Sequence, residues 1–280
     1  MSRLNFVKMQ ALGNDFILID SDYNDLIDLD DKVVTSLADR KYGIGCDQVL
    51  FIKRNYSNDY NYLIFNNDGS KALNCLNGAR CVIMYLYKKC NSLVSHFLLR
   101  LDRGVIYGTV DIDENINLII DEPSYNPQSL PMSLELSINN SYIVNFNGEV
   151  VSFGIASLGN PHLMIELPKD IESYDILKLT KTAQNIQKSD IFLQGVNINF
   201  FNIKGDNLVF LRTYERGSGF THACGSGACA TACFLIRQNK VKNFVKVNML
   251  GGSLKVNLEE NNKVSLIGDA NFVFNGYIEV

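Results

Sequence analysis

The sequence predicts an α+β fold built from two similar halves, and three observations support this prediction. Strand-like runs of apolar or alternating residues outnumber helical patterns along the 280 residues. The pattern Cys-x-x-Gly-Ala occurs twice, at Cys75 and at Cys224, 149 positions apart. The length also allows two domains of ordinary size, since domains most often contain about 100–150 residues.

The predicted strands and helices alternate in a similar order in the two halves. Strand signals in the first half are FILID (16–20), QVLFIK (48–53), NYLIF (61–65), HFLLRL (96–101) and VIYGTVDI (105–112). Those in the second half are YIVNF (142–146), VSFGIA (151–156), HLMIEL (162–167), VNINFFNI (196–203) and NLVFLRTY (207–214), with several more runs over 246–280. Helical patterns cover 31–42, 78–89, 175–186 and 227–239.

The similarity between the two halves extends beyond the two cysteines and indicates an internal duplication. Gly13-Asn14 in the first half corresponds to Gly159-Asn160 in the second, and Gln48 corresponds to Asn197. The segment 121–131 carries three of the five prolines and is the predicted join. We therefore predict one domain over 1–122, completed by a C-terminal strand at about 268–280, and a second domain over 123–267.

Composition and charge narrow the classes of function. A net charge of −4 and a pI near 5.4 argue against a nucleic-acid or anionic-membrane partner. The sequence lacks the run of about 18 apolar residues that a membrane span needs, and residues 1–16 lack the pattern of a signal peptide. Seven cysteines, an odd number without a spaced even set, are typical of reduced thiols. We expect a cytoplasmic protein.

The positions of Cys75 and Cys224 predict reactive thiols. Each follows a polar loop and directly precedes a predicted helix. The unpaired N–H groups and the positive dipole end at a helix N-terminus favour a thiolate, and they also form a carboxylate site. Two such thiols on either side of one carbon could remove a proton from one face and return it on the other. The sequence thus indicates inversion at a stereocentre.

Polar residues near each thiol suggest how a zwitterion would be bound. Glu215 could take an ammonium group and Arg216 a carboxylate, although the pair could equally be an exposed ion pair of little energetic weight. His162 lies in a polar loop beside Asn160 and is a candidate for tuning a thiol, with a purely structural role as the alternative.

The sequence also leaves other roles open for the cysteines. Cys81, Cys229 and Cys233 fall in predicted helices and are interpreted as core residues. A zinc site is disfavoured because no Cys-x-x-Cys is present. A reversible disulfide between Cys75 and Cys224 in a redox or non-catalytic protein is a further alternative.

With these residues assembled, the chain resembles the diaminopimelate epimerase family. The matching segments are KMQALGNDF (8–16), GIGCDQ (43–48), FNNDGS (65–70), Cys75 with NGAR (77–80), GNPH (159–162), GVN (195–197), YERG (214–217), ACGSGACA (223–230) and GGSL (251–254). The resemblance implies two pseudo-symmetric α/β domains with mixed, mostly antiparallel sheets around a central helix. It places the active site in the cleft between the domains, and it implies a homodimer.

The resemblance also implies an activity and a set of site residues. The activity would be interconversion of LL- and meso-diaminopimelate without a cofactor or metal, in lysine and peptidoglycan precursor synthesis. Cys75 and Cys224 would be the catalytic base and acid. The implied substrate contacts are Asn14, Gln48, Asn66, Asn160, Asn197, Glu215 and Arg216, together with the backbone at Leu76, Asn77, Gly225 and Ser226.

One departure from the family pattern bears on this expectation. Leu76 follows the first thiol where the family has glycine, whereas Gly225 follows the second thiol. A leucine adopts a positive φ only with strain and adds bulk beside the thiol. The variant could be tolerated, could accompany a different amino-acid substrate in a related racemase, or could impair the enzyme.

Overall fold

The fold is described from a computed structural model, which covers residues 3–24, 30–102, 104–134, 137 and 141–279. The chain divides into two compact units. The first unit consists of Met1–Ile120 together with Ile267–Val280, and the second of Asp121–Leu266.

In its described residues, the first unit contains seven strands in sequence, two helices and a C-terminal strand. Its elements are β1 (Arg3–Ala11), β2 (Asn14–Asp20), α1 (Asp31–Ala38), β3 (Gln48–Tyr56), β4 (Asp59–Asn66), α2 (Leu76–Lys89), β5 (His96–Arg100), β6 (Val105–Val110) and β7 (Ile116–Asp121). The C-terminal strand, Asn271–Glu279, is the last of the chain and is numbered β17. It pairs antiparallel with β1, so the chain end belongs to the sheet of the first unit.

The described part of the second unit contains nine strands and two helices. Its elements are β8 (Ser141–Phe146), β9 (Glu149–Ser157), β10 (Pro161–Glu166), α3 (Ile176–Gln187), β11 (Asn197–Ile203), β12 (Leu208–Glu215), β13 (Gly219–Phe220), α4 (Gly225–Arg237), β14 (Phe244–Met249), β15 (Gly252–Leu258) and β16 (Lys263–Gly268). Three short 3-10 helices, Ser21–Tyr23, Pro127–Ser129 and Ile171–Ser173, complete the regular structure in the described ranges.

The same series of strand pairings occurs in both units. In the first, β1 to β6 pair in order as antiparallel, parallel, antiparallel, parallel and antiparallel neighbours. In the second, β9, β10, β11, β12, β14 and β15 repeat that series. The prediction of an α+β fold with two similar halves and mostly antiparallel pairing is confirmed.

Each unit is organised around one buried helix. Every residue from Leu76 to Leu86 in α2 is buried, and in α4 every residue from Gly225 to Ile236 is buried. Helix α2 contacts β1, β2, β3, β5 and β6, while α4 contacts β9, β10, β11, β12, β14 and β15. Both helices can be buried in this way because strands surround them. The predicted central helix is present in both units.

The helix boundaries differ from the sequence prediction by two residues or more at four ends, one of which is the end of α4 at Arg237 instead of 239. Helices α2 and α4 begin two residues earlier than predicted, because each thiol residue is itself the N-cap. Helix α1 ends at Ala38, four residues before the predicted end. The carboxylate of Asp39 accepts hydrogen bonds from the backbone N–H groups of Lys41 and Tyr42, which replaces the next helical turn.

The helices also bear on membrane association. Among the described residues, no helix combines the length and the apolar character that crossing a bilayer would require.

Candidate active site

Cys75 occupies the N-cap of α2 and accepts a hydrogen bond through its sulfur. Its backbone is extended, with φ −149° and ψ 101°, and the N–H of Gly78 lies 3.3 Å from Sγ. The Tyr62 hydroxyl donates to the Cys75 carbonyl oxygen at 3.2 Å. Because the first N–H groups of a helix have no carbonyl of their own to bind, this sulfur takes the place of a conventional capping oxygen.

Cys224 occupies the corresponding N-cap of α4 in a different polar environment. Its backbone is again extended, with φ −127° and ψ 107°, and the residue is buried. Its Sγ lies 3.5 Å from the hydroxyl of Ser226. The two thiols therefore share a position in the fold but have different polar neighbours.

Close packing explains the glycine of the Cys-x-x-Gly motif in both units. A Cβ on Gly78 would lie 2.5 Å from the Tyr62 hydroxyl, and a Cβ on Gly227 would lie 2.6 Å from Oδ1 of Asn199. Real Cβ atoms do not approach other atoms that closely. Glycine at the third residue after each thiol therefore lets a strand side chain lie against the first turn of the helix.

The polar residues predicted for the first unit lie in two hydrogen-bonded groups. Asn14 donates from Nδ2 to Asp47 at 2.8 Å and accepts at Oδ1 from Nδ2 of Asn77 at 3.2 Å. Gln48 and Asn66 face each other across β3 and β4, with Nε2 of Gln48 donating to Oδ1 of Asn66 at 2.9 Å. In the described structure Oε1 of Gln48 is buried without a hydrogen-bond partner.

The predicted residues of the second unit are arranged around β10, β11 and the start of α4. Asn160 donates from Nδ2 to the Ser226 hydroxyl at 3.1 Å, and its buried Oδ1 has no partner among the described residues. Oδ1 of Asn197 accepts from the backbone N–H of Arg216 at 2.9 Å. Gly225 is the first residue of α4.

Glu215 and Arg216 lie at the end of β12 with separate polar contacts. Glu215 accepts a hydrogen bond from the Thr221 hydroxyl at 2.6 Å. Nη1 of Arg216 donates to the carbonyl oxygen of Gln194 at 2.5 Å, and this side chain is exposed. Their carboxylate and guanidinium groups supply charges of both signs at one strand end.

His162 is buried completely and is held on both ring nitrogens. Nε2 lies 3.0 Å from the Ser226 hydroxyl and Nδ1 lies 3.1 Å from Nδ2 of Asn199. Burial lowers the pKa of His162 to about 3, against a smaller opposing contribution from the Asn199 hydrogen bond. The ring is therefore neutral at physiological pH.

This lowered pKa predicts a loss of stability in acid. Because the unfolded chain binds the proton below its ordinary pKa of 6.5 and the folded chain does so only near 3, His162 destabilises the fold as pH falls through that interval. At pH 4.5 the cost relative to pH 8 is about 3 kcal/mol. Urea unfolding at both pH values should show that His162→Gln lacks this part of the acid sensitivity. His96→Gln, at an exposed position, serves as the control, and equal acid sensitivity of wild type and His162→Gln would contradict the prediction.

Leu76 takes the place of the expected glycine without backbone strain. It is the first residue of α2, and Gly225 is the first residue of α4, so both positions have helical backbone. The concern that residue 76 needs a positive φ is therefore wrong. The Leu76 side chain is 2% exposed and contributes to the core of the first unit.

Two functional candidates were missed from the sequence. Arg80 is fully buried and donates to Oδ1 of Asn77 at 3.0 Å and to the carbonyl oxygen of Asp269 at 3.1 Å. Asn199 is also fully buried and contacts His162. A signal for Asn199 was available, because it is an amide in a buried strand where the 149-residue offset places Leu50 in the other half.

The remaining cysteines lie mainly in the core. Cys81, Cys229 and Cys233 are fully buried in their helices, which confirms the prediction. Burial raises the pKa of Cys46 and of Cys233 to about 12. Across the part of the chain that the structure describes, no group of three or more His, Cys, Asp or Glu residues is placed to hold a metal ion.

Solved structures of other proteins share this fold. A probable proline racemase from Agrobacterium radiobacter K84 matches with a TM-score of 0.73 and 12% identity, covering 99% of this chain and 93% of that one. A hydroxyproline epimerase from Agrobacterium vitis matches with a TM-score of 0.72 and 12% identity, covering 99% of this chain and 91% of that one. The fold is thus that of racemases and epimerases.

Sequence relatives identify the family to which the chain belongs. The diaminopimelate epimerase family model matches twice, over residues 6–125 and 154–273, once in each half. A diaminopimelate epimerase from Xylella fastidiosa (strain M23) is 36% identical over 278 residues, covering 98% of this chain and 95% of that protein. One from Vesicomyosocius okutanii is 33% identical over 279 residues, covering 99% of both. The chain belongs to the diaminopimelate epimerase family.

Proposed function

We propose that this protein is an isomerase that epimerises LL-diaminopimelate to meso-diaminopimelate, in lysine and peptidoglycan precursor synthesis. The observation that carries the proposal is the pair of thiols, Cys75 and Cys224, each capping the buried helix of one of two similarly built units. Membership of the diaminopimelate epimerase family supplies the substrate.

The proposed chemistry is a proton transfer at the α-carbon by two bases. One thiolate removes the α-proton, and the other thiol delivers a proton to the opposite face, which inverts the centre. The backbone N–H groups of residues 76–77 and 225–226 bind the reacting carboxylate. They also stabilise the enolate-like charge that develops as the proton leaves, since donors at helix N-termini are oriented before the reaction begins. The two thiols supply both base and acid, so the proposal includes no cofactor or metal.

The proposed substrate contacts suit a molecule with a zwitterion at each end. Arg216 binds the distal carboxylate with Asn66, Asn160 and Asn197, and Glu215 binds the distal ammonium group. Two buried acceptors support a cationic ligand, because Oε1 of Gln48 and Oδ1 of Asn160 have no hydrogen-bond partner among the described residues. A buried acceptor without a partner is unfavourable, and an ammonium donor would satisfy it.

We also propose a homodimer in the cytoplasm. The C-terminal strand β17 carries four large apolar side chains that are 45–55% exposed: Phe272 at 45%, Val273 at 55%, Phe274 at 49% and Tyr277 at 55%. An apolar group of this kind on an outer strand is typical of a surface that a second subunit covers. The mechanism requires two reduced thiols, which favours a reducing compartment.

Isotope exchange tests the proposed activity. Reduced protein incubated with LL-diaminopimelate in deuterium oxide should yield meso-diaminopimelate with deuterium at the inverted α-carbon, measured by mass spectrometry and NMR. A panel of other amino acids should show no comparable exchange. Exchange with another amino acid but none with diaminopimelate would show that the substrate assignment is wrong.

Two substitutions at Leu76 test whether the departure from glycine impairs the enzyme. Leu76→Ala should lower the free energy of unfolding by about 2–5 kcal/mol through loss of buried side chain, and Leu76→Gly by about 1 kcal/mol more through backbone freedom in a helix. We expect neither change to raise kcat, measured where both variants are folded. A several-fold gain in kcat for Leu76→Gly but not Leu76→Ala would mean that the site requires glycine's backbone.

A further inference from the structure

Four buried side chains connect the interior of the second unit to the Cys224 sulfur. The Thr213 hydroxyl donates to Oδ1 of Asn199 at 2.9 Å. Nδ2 of Asn199 lies 3.1 Å from Nδ1 of His162. Nε2 of His162 lies 3.0 Å from the Ser226 hydroxyl, which in turn lies 3.5 Å from Cys224 Sγ. The chain of contacts is continuous, and all four residues are buried.

The direction of each hydrogen bond follows from the Asn199 amide. Its oxygen is occupied by the Thr213 hydroxyl, so its NH2 group faces Nδ1 of the histidine. An amide NH2 group can only donate, so Nδ1 must accept. The His162 ring is neutral, and its single proton therefore lies on Nε2 and is donated to the Ser226 hydroxyl.

The Ser226 hydroxyl then has only its own proton left to share. Its oxygen accepts from Nε2 of His162 and from Nδ2 of Asn160 at 3.1 Å, which fills both lone pairs. The remaining neighbour is the Cys224 sulfur. We propose that Asn199 is a positioning residue: by fixing the His162 tautomer it directs the Ser226 proton to Cys224 and stabilises the thiolate. This inference deepens the proposed function, on which it rests.

The first unit lacks this chain of hydrogen bonds at the three strand positions. Phe16 pairs with Gln48 as His162 pairs with Asn197, and Leu50 pairs with Ile64 as Asn199 pairs with Thr213. The equivalents of His162, Asn199 and Thr213 are thus Phe16, Leu50 and Ile64, all buried and apolar. Cys75 receives a backbone N–H from Gly78 at 3.3 Å instead. Among the described contacts, this chain of hydrogen bonds ends at Cys224.

The packing of α4 leaves room for this chain of hydrogen bonds. A Cβ on Gly227 would lie 2.6 Å from Oδ1 of Asn199 and 3.0 Å from the Thr213 hydroxyl. Glycine at this helical position costs stability relative to alanine. Here it provides the space in which the Asn199 amide reaches His162.

Thiol reactivity tests the proposal without any substrate. Alkylation of Cys224 by iodoacetamide is followed against pH by peptide mass spectrometry, with Cys75 in the same molecule as the internal reference. Ser226→Ala should raise the pH midpoint for Cys224 by about one unit, the size expected for losing a hydrogen bond to a charged group. Asn199→Leu should raise it in the same direction, and neither variant should move the midpoint for Cys75.

A double variant separates positioning from a general structural role. If Asn199 acts through Ser226, the Ser226→Ala/Asn199→Leu protein should have the same Cys224 midpoint as Ser226→Ala alone. Asn202→Leu is the matched control, since Asn202 is a buried amide on the same strand that accepts from the backbone N–H of Ile171 instead. It should leave the Cys224 midpoint unchanged. Additive shifts in the double variant would overturn the proposal.

The histidine tautomer gives a second readout in the unmodified protein. The chain has three histidines, so nitrogen NMR of histidine-labelled protein can be assigned with His96→Gln and His222→Gln variants. His162 should be neutral with its proton on Nε2 at pH 7. A proton on Nδ1 would overturn the proposal even if the Asn199 variant does not fold. Both measurements are independent of diaminopimelate, so their failure is distinguishable from failure of the proposed activity.

Discussion

Replacing either Cys75 or Cys224 with alanine should reduce the rate of diaminopimelate epimerisation by about 10²–10⁴-fold or more. The reason is that each thiol supplies one of the two proton transfers, and a positioned acid or base commonly contributes a factor of that size. The measurement is kcat by a coupled or chromatographic assay, with LL-diaminopimelate and meso-diaminopimelate as starting materials. The helix that each cysteine caps should persist, because the buried residues that follow hold it in place.

The two alanine variants should also differ from each other in isotope exchange. A protein with one remaining thiol can still remove the α-proton from the face that this thiol contacts, but it cannot deliver a proton on the other face. Each variant should therefore exchange the α-proton of one stereoisomer slowly without inverting it, and the two variants should prefer opposite stereoisomers. Exchange of the same stereoisomer by both variants would contradict a two-base mechanism.

Cys233→Ala provides the matched control for the cysteine experiment. Cys233 lies in α4 and is fully buried, and burial raises the pKa of its thiol to about 12. A buried thiol of this kind is a small core residue, so its loss should lower stability slightly and leave kcat unchanged. If the Cys233→Ala protein were fully folded but had lost activity, the loss of activity in the Cys75 and Cys224 variants would not be specific to the capping thiols.

Replacing Arg216 should give the second largest loss of activity. We expect Arg216→Met to lower kcat/KM for diaminopimelate by about 10²–10³-fold, because removing one partner of a charged, hydrogen-bonded contact typically costs about 2–5 kcal/mol. Arg216→Lys should have an intermediate effect, since lysine keeps the charge but lacks the planar fork that binds both carboxylate oxygens. Steady-state kinetics on the purified variants measures both changes.

A neighbouring arginine controls for the general loss of positive charge. Arg212 lies on β12, four residues before Arg216, and its Nη1 donates to the carbonyl oxygen of Leu211. Arg212→Lys should leave kcat/KM close to the wild-type value. If Arg216→Met and wild type have equal kcat/KM, the distal carboxylate is bound elsewhere.

Much of the fold could be predicted because local patterns in this chain agree with their tertiary setting. Alternating and apolar runs form strands, and the four helical patterns form helices that bury most of their apolar residues. The boundaries were less predictable. The side chain of Asp39 ends α1 early through two hydrogen bonds to the backbone, a local competition that hydrophobic periodicity does not reveal.

The positions of the candidate site residues were partly predictable for the same reason. Repetition of Cys-x-x-Gly-Ala located both thiols, and the polar segments near them located most of the predicted contacts. The partners of these residues were not predictable. Asn77 is held by Arg80, and His162 by Asn199, through contacts between residues that are 3 and 37 positions apart.

The sequence by itself determined the two thiols, their place before a helix in each half, and the family to which the chain belongs. Only the tertiary structure decided that Leu76 needs no positive φ and that the two thiols have different polar neighbours. The physical reason is that a repeated motif fixes backbone position, whereas the side chains that lie against the first helical turn come from neighbouring strands. Those strands carry Leu50 in one unit and Asn199 in the other, so equal motifs acquire unequal surroundings.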